Sequence, residues 1–102
     1  MTTISRNELI SKLQDLRPML RSRGVVGVTL FGSRARGDNR ADSDIDLVID
    51  VDEALSFSLL DLVGVGHEIE DRLHLPANLF MRRSLDVGFH AEASRDGLVI
   101  YS

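Results

Sequence analysis

The strongest constraint on the fold is a set of four short apolar runs that alternate with segments of helical periodicity. Such runs, rich in β-branched residues, are typical of strands buried in a sheet. They are VVGVTLF (25–31), IDLVIDV (45–51), ANLFM (77–81) and LVIY (98–101). The sequence therefore predicts one small sheet of four strands.

Helical periodicity occupies segments before and between these strands. From Ser5 to about Ser22, leucines recur at helical spacing, and Ser5 with Glu8 forms the pattern of a capping box. We expect Pro18 to kink or shorten the end of this helix. A second, amphipathic helix is predicted over residues 56–73, although two internal glycines weaken it.

The remaining segments complete an alternating order of elements. A loop with a short helix is predicted over residues 84–95, and Ser33 can begin another helix after the first strand. The resulting order is α-β-α-β-α-β-α-β, so the predicted fold class is α/β or α+β, with helices packed against one small sheet. Because 102 residues with 43% hydrophobic side chains can bury one modest core, we interpret residues 1–102 as a single domain.

Charge and composition exclude several functions. Sixteen acidic and twelve basic residues give a net charge of −4, which provides no overall positive field for direct binding of nucleic acid. If phosphates bind, we expect a divalent cation to mediate the contact. The chain has no cysteine, which excludes disulfides and thiolate metal sites. No apolar run approaches the roughly 18 to 20 residues of a membrane span, so we expect no membrane association and a cytoplasmic location.

The segment FGSRARGDNRADSDIDL (31–47) lies between the first two strands, where folds of this class place ligands at strand ends. Gly32 can adopt backbone angles that other residues avoid, and Ser33 can begin a helix whose free amides point at an anion. Arg34 and Arg36 bring guanidinium groups to the same place, and these groups match phosphate oxygens two at a time. A simple helix cap is the alternative interpretation of Gly32 and Ser33.

Two acids flank Ile45 at the beginning of the second strand. The side chains of Asp44 and Asp46 point to one face, about 6 to 7 Å apart along the chain. They repel each other unless a cation lies between them, and hard oxygen ligands suit Mg²⁺. A solvated strand end is the alternative. Asp50 shares this face but lies about 13 Å beyond Asp46, so we expect it at a solvated far end.

Gly32-Ser33, ten intervening residues and Asp44-Ile45-Asp46 resemble the G-S-x10-D-x-D signature of the minimal nucleotidyltransferases of the polymerase-β superfamily. The residues around the signature, LFGSRARG…SDIDLVI, also resemble the family, so the similarity is greater than the spacing alone requires. The resemblance covers nearly the whole chain and implies a small mixed sheet with helices packed against it. It also implies an antitoxin that transfers AMP from ATP, with Mg²⁺ as cofactor, to a hydroxyl of a HEPN-type toxin.

The family's roles can be carried over to matching residues of this chain. Gly32 would let the triphosphate approach the backbone, and Ser33 would hold a terminal phosphate oxygen. Asp44 and Asp46 would be the catalytic carboxylates that hold magnesium.

The two arginines of the motif would neutralise charge that builds on the leaving pyrophosphate. This role is implied for both Arg34 and Arg36. For Arg36, a surface salt bridge to Asp38 or Asp42 is an equally plausible use.

The sequence departs from the family at the third acid, which active members carry on the strand after the long helix. The matching position belongs to Asn78, whose carbonyl can ligate Mg²⁺ but adds no charge and cannot take a proton. Three interpretations stay open: an adenylyltransferase that neutralises a partner toxin, a weak or inactive module that binds nucleotide or toxin, and transfer onto RNA or a small molecule. The third is disfavoured by the absence of a second domain to hold such a substrate. Homo-oligomerisation also stays open.

Overall fold

The computed structural model describes residues 4–84 and 97–102. Within these ranges, helices α1 to α4 span Arg6–Asp15, Arg17–Ser22, Ser33–Arg36 and Leu59–Leu73. Strands β1 to β4 span Val25–Phe31, Ile45–Val51, Ala77–Met81 and Leu98–Tyr101, and a 3₁₀ helix covers Arg82–Ser84. The predicted bounds of all four strands are confirmed. The remainder of the predicted loop and short helix, residues 85–95, lies outside the described residues.

The four strands form one mixed sheet in the order β3-β2-β1-β4. Strand β1 pairs antiparallel with both β2 and β4, whereas β2 and β3 run parallel. Parallel neighbours require a long connection, and α4 supplies it between β2 and β3. The predicted fold class, a mixed sheet with helices packed against it, is confirmed.

The first predicted helix is divided into two. Helix α1 begins after Ser5, whose hydroxyl accepts a hydrogen bond from the backbone amide of Glu8 at 3.1 Å, as the capping pattern predicts. It ends at Asp15, and α2 follows Leu16 with Pro18 in its first turn. Proline has no amide hydrogen to continue the α1 ladder but fits the start of a new helix, which explains the break.

Helix α4 begins three residues later than predicted. Ser58 and Asp61 form a reciprocal capping box, so the helix begins at Leu59 instead of residue 56. At the other end, His74 adopts a left-handed conformation with φ 57°, and its amide donates to the Glu70 carbonyl at 2.7 Å. Strand β3 then begins at Ala77.

The two faces of the sheet have different surroundings. Side chains of β2 at odd positions, beginning with Ile45, belong to the main core with the leucines of α1 and the apolar residues of α4. Side chains at even positions, including Asp46, point to the opposite face. There the rings of Phe31 and Phe80 pack edge to face, with centroids 5.8 Å apart, beside buried Val48. The candidate site therefore lies on the sheet face that points away from the main core.

In the part of the chain that the structure describes, no helix is both long enough and apolar enough to cross a membrane.

Candidate active site

Gly32 joins the end of β1 to the first turn of α3 and lies directly against an acid of the site. Its φ is 78°, in the region that favours glycine. A Cβ atom at this position would lie 2.5 Å from Oδ2 of Asp46, which is too close for any side chain. Glycine is therefore required both by the turn and by the approach of Asp46, which lies opposite Phe31 in the β1–β2 ladder.

The turn after Gly32 is compact. Helix α3 begins at Ser33 and has only four residues. The helix ends at Arg36, and Gly37 caps it with a φ of 86°. The Gly37 amide donates to the Ser33 carbonyl at 2.8 Å. Ser33, the first residue of this helix, is partly exposed, and the preceding Gly32 lies against the Asp46 carboxylate.

Asp44, Asp46 and Asn78 meet at one point. The side-chain nitrogen of Asn78 donates to Oδ2 of Asp44 at 3.0 Å and to Oδ1 of Asp46 at 3.1 Å. The parallel register explains this meeting, because Asn78 of β3 is paired with Asp46 of β2. The structure thus places Asn78 beside the two acids, at the position that the resemblance to the family implies for a third acid.

The electrostatics of this point favour a bound cation. No lysine, arginine or histidine of residues 4–84 and 97–102 forms an ion pair with Asp44 or Asp46. The neutral amide of Asn78 supplies donors but no positive charge to offset the two carboxylates.

The available donor set is hard and entirely oxygen when the Asn78 amide presents its carbonyl. One oxygen of Asp44 and one of Asp46 lie within 3.1 Å of a single atom, which is the convergence that a shared cation needs. These ligands fit Mg²⁺. Among the described residues, no group of three histidine, cysteine or acidic side chains is placed to hold a metal, so the site has two carboxylates and one amide.

Arg34 is buried. Only 2% of its surface is exposed, and its Nε and Nη2 atoms donate to the carbonyls of Ser43 at 2.9 Å and Ala41 at 3.3 Å. Its guanidinium is therefore engaged with the loop between α3 and β2 and is not presented at the surface as a phosphate contact would be. The sequence analysis placed the Arg34 guanidinium near the phosphate-binding turn, whereas the structure places it in the interior, against the loop before β2.

Arg36 lies at the surface, with 44% of its side chain exposed. Its Nε atom donates to Oδ2 of Asp38 at 3.2 Å. The salt bridge to Asp38 that the sequence allowed is therefore present. Exposed ion pairs of this kind contribute little to stability.

At the far end of β2, the structure shows a feature that the sequence analysis missed. Asp50 was expected at a solvated end, but Nε of Arg82 donates to its Oδ1 at 2.8 Å. The same guanidinium donates to the Thr29 hydroxyl at 3.2 Å. The signal available in the sequence was the position of Arg82 directly after β3, the neighbour of β2.

A groove of about 310 Å³ lies between α4 and β3, and Asn78 is part of its wall. Most of the other side chains of this wall are apolar, with His67 and Glu70 as its titratable groups.

Comparison with known protein families shows the family to which this chain belongs. The family "Polymerase beta, Nucleotidyltransferase" matches residues 14–102. This chain belongs to that family, in agreement with its mixed sheet and with the position of its two acids.

Individual proteins and solved structures are also similar to this chain. The chain is 33% identical to the protein adenylyltransferase MntA of Thermococcus cleftensis over 102 residues, covering 99% of each sequence. Two solved structures share the fold at low identity. One is a toxin–antitoxin with AMP-PNP, with a TM-score of 0.75, 18% identity and coverage of 89% of this chain and 73% of that one. The other is a tri-AMPylated Shewanella oneidensis HEPN toxin in complex with an MNT antitoxin, with a TM-score of 0.69, 16% identity and coverage of 90% and 71%.

Proposed function

We propose that this chain is an antitoxin that transfers AMP from ATP to a hydroxyl group of a HEPN-type toxin and so neutralises it. The observation that carries the proposal is the convergence of Asp44 and Asp46, without a cationic partner in the described ranges, beside a glycine turn that closely approaches Asp46. The relationship to a protein adenylyltransferase over nearly its full length supports AMP as the transferred group. The toxin–antitoxin complexes among structures of the same fold support a HEPN-type partner.

Each residue of the site has a role in this reaction. Asp44 and Asp46 would hold Mg²⁺, with the Asn78 amide oxygen as a third ligand, and the bound ion would neutralise charge on the triphosphate. Ser33 would donate a hydrogen bond to a terminal phosphate oxygen. Arg36 would neutralise charge on the departing pyrophosphate.

The bond changes are those of a nucleotidyl transfer. The acceptor hydroxyl oxygen attacks the α-phosphorus of ATP, the bond from that phosphorus to the pyrophosphate oxygen breaks, and the hydroxyl proton is released. Positioning and charge neutralisation supply most of the catalysis of such reactions. Because the Asn78 amide cannot accept the proton, this chain lacks a general base at that position.

Asn78 also favours a second candidate function. With an amide in place of a third acid, the same site would hold nucleotide or toxin while transferring AMP slowly or not at all. In that case the chain would neutralise its partner by binding alone.

The candidates are separated by incubating this chain with ATP labelled at the α-phosphate, Mg²⁺ and the product of the neighbouring gene, provided that this product is a HEPN-type protein. We expect label on the toxin and a mass increase in steps of one AMP, both lost in EDTA. A stable complex without label would support the binding module and contradict the transferase. Label on RNA or on a small molecule instead of the toxin would contradict both.

A further inference from the structure

Arg34 is the largest of the fully buried side chains in the described part of the chain, and it is charged. A buried charge is costly unless hydrogen bonds replace the lost water. Here the acceptors are two backbone carbonyls, those of Ser43 at 2.9 Å and Ala41 at 3.3 Å. Both carbonyls belong to the loop that connects α3 to β2.

Ser43 is fixed by three hydrogen bonds. Besides its carbonyl contact with Arg34, its amide donates to the Arg40 carbonyl at 3.1 Å, and its hydroxyl accepts from the Arg40 amide at 2.8 Å. The amide of Ile45 donates to the Pro76 carbonyl at 2.8 Å. Asp44 therefore lies between two residues that are held by hydrogen bonds, which limits the freedom of its own backbone.

The other end of this connection is also anchored. Arg34 belongs to α3, whose Ala35 carbonyl accepts a hydrogen bond from Nη1 of Arg6 at 3.1 Å. Ser33 directly precedes Arg34 in the same short helix. The Arg34 guanidinium thus joins the turn that carries Ser33 to the residue that precedes Asp44.

We propose that Arg34 is a positioning residue for the candidate metal site. Its guanidinium holds the Ser43 carbonyl against α3 and thereby keeps the Asp44 carboxylate where it converges with Asp46. The reaction served by this placement rests on the proposed function, but the placement itself is measurable without any chemistry. Arg34 acts through the loop and does not touch the nucleotide.

Arg34→Lys tests the proposal, because lysine keeps the charge but lacks the planar fork that reaches two carbonyls. Arg83→Lys is the matched control, since Arg83 also donates to a backbone carbonyl, that of Phe57 at 2.8 Å. Three properties are measured in both variants: Mn²⁺ binding by electron paramagnetic resonance, hydrogen exchange of the Ser43 amide by NMR, and ATP affinity in EDTA by calorimetry.

We expect Arg34→Lys to weaken Mn²⁺ binding at least tenfold and to accelerate exchange of the Ser43 amide at least tenfold. ATP affinity in EDTA should stay within twofold of the wild-type value. Arg83→Lys should lower the melting temperature but leave the other properties unchanged. In transfer assays, Arg34→Lys should lower kcat more than it raises KM for ATP. If Arg34→Lys does not fold, Arg34→Gln, which keeps a planar donor group, is measured in the same way.

Two outcomes would overturn the proposal. Mn²⁺ binding and Ser43 exchange equal to those of the Arg83→Lys control would reduce Arg34 to a packing residue. Weaker ATP binding in EDTA, with unchanged Mn²⁺ binding, would show a direct phosphate contact instead.

Measurements on the wild-type protein distinguish failure of the proposed function from failure of the positioning role. A wild-type protein that binds Mn²⁺ but transfers no AMP would reject the reaction and leave the positioning role intact. If the wild-type protein binds no Mn²⁺, the metal site is rejected, and the exchange of the Ser43 amide alone decides whether Arg34 fixes this loop.

Discussion

The two ends of β2 carry acids on the same face of the sheet, but their partners differ. At the far end, Asp50 is paired with Arg82 at 2.8 Å. At the near end, Asp44 and Asp46 share the neutral amide of Asn78, and no cationic side chain of the described ranges pairs with them. One strand thus holds a neutralised acid and an uncompensated pair.

We infer that this difference separates a structural acid from a functional pair of acids. The Asp50–Arg82 pair is internally balanced, so it needs no ligand and ties β2 to the residue after β3. Two adjacent carboxylates without a cation repel each other, and a fold that keeps them is less stable than one that replaces either. We infer that acids arranged in this way hold a cation, and the close contact of Gly32 with Asp46 shows that no side chain fits between the turn and this carboxylate.

The largest expected effect comes from making the same substitution at each end of β2. Asp46→Asn should lower AMP transfer by about 1,000-fold, because a metal ligand that stabilises transition-state charge contributes several kcal/mol. Asp50→Asn should leave transfer within about threefold of wild type, since Asp50 lies outside the site. Rates measured with labelled ATP test both. Equal losses in the two variants would remove the distinction between the two ends.

Asn78→Asp should sharpen the difference by adding a third acid to the near end. We expect transfer to rise by about 10-fold to 100-fold, below the full range of general-base assistance because the new carboxylate is not optimally placed. The three acids should also repel one another in EDTA, so the gain in melting temperature on adding Mg²⁺ should be larger than in wild type. A variant with unchanged transfer and an unchanged response to Mg²⁺ would show that the amide at position 78 does not limit the reaction.

Ser33→Ala tests whether the turn beside the two acids binds phosphate. Removal of one hydrogen bond to a charged oxygen should weaken ATP binding by about 1 to 2 kcal/mol, or roughly 5-fold to 30-fold, in a protein that folds normally. Calorimetry in Mg²⁺ measures the change. An unaltered affinity in the folded variant would assign Gly32 and Ser33 to the turn alone.

The smallest effect is on stability, where substitution should be destabilising at the far end of β2 only. In EDTA, Asp50→Asn should lower the free energy of unfolding by about 0.5 to 1 kcal/mol, because it removes a half-exposed ion pair. Asp46→Asn should leave it unchanged or raise it, because the repulsion with Asp44 is relieved while the amide oxygen can still accept from Asn78. Urea titrations followed by circular dichroism would refute this contrast if Asp46→Asn were the more destabilising change.

Local sequence signals were sufficient to predict most of the helices and strands. The β-branched runs gave the correct bounds of β1 and β2 because both strands are largely buried and few polar residues interrupt them. The position of Asn78 beside the two acids was implied by the resemblance to the family, and the structure shows that the parallel pairing of Asn78 with Asp46 produces it. The start of α4 was misplaced because the Ser58–Asp61 capping box was not recognised.

The hydrogen-bond partners of the arginines were harder to predict from the sequence. Long side chains reach carbonyls or acids that are distant along the chain, as Arg82 reaches Asp50. The path of the loop after α3 decides which carbonyls face Arg34, and no periodic pattern encodes that path. The motif therefore predicted which residues would form a site, whereas the structure was needed to separate the buried Arg34 from the exposed Arg36.

The most direct test of a cation site at the near end of β2 is the affinity of the wild-type protein for ATP, measured by calorimetry with Mg²⁺ and again in EDTA. We expect much tighter binding with Mg²⁺, and we expect Asp46→Asn to abolish this difference while Asp50→Asn preserves it. Equal affinity of the wild-type protein in the two buffers would contradict the interpretation, because Asp44 and Asp46 would then hold no ion that the nucleotide requires.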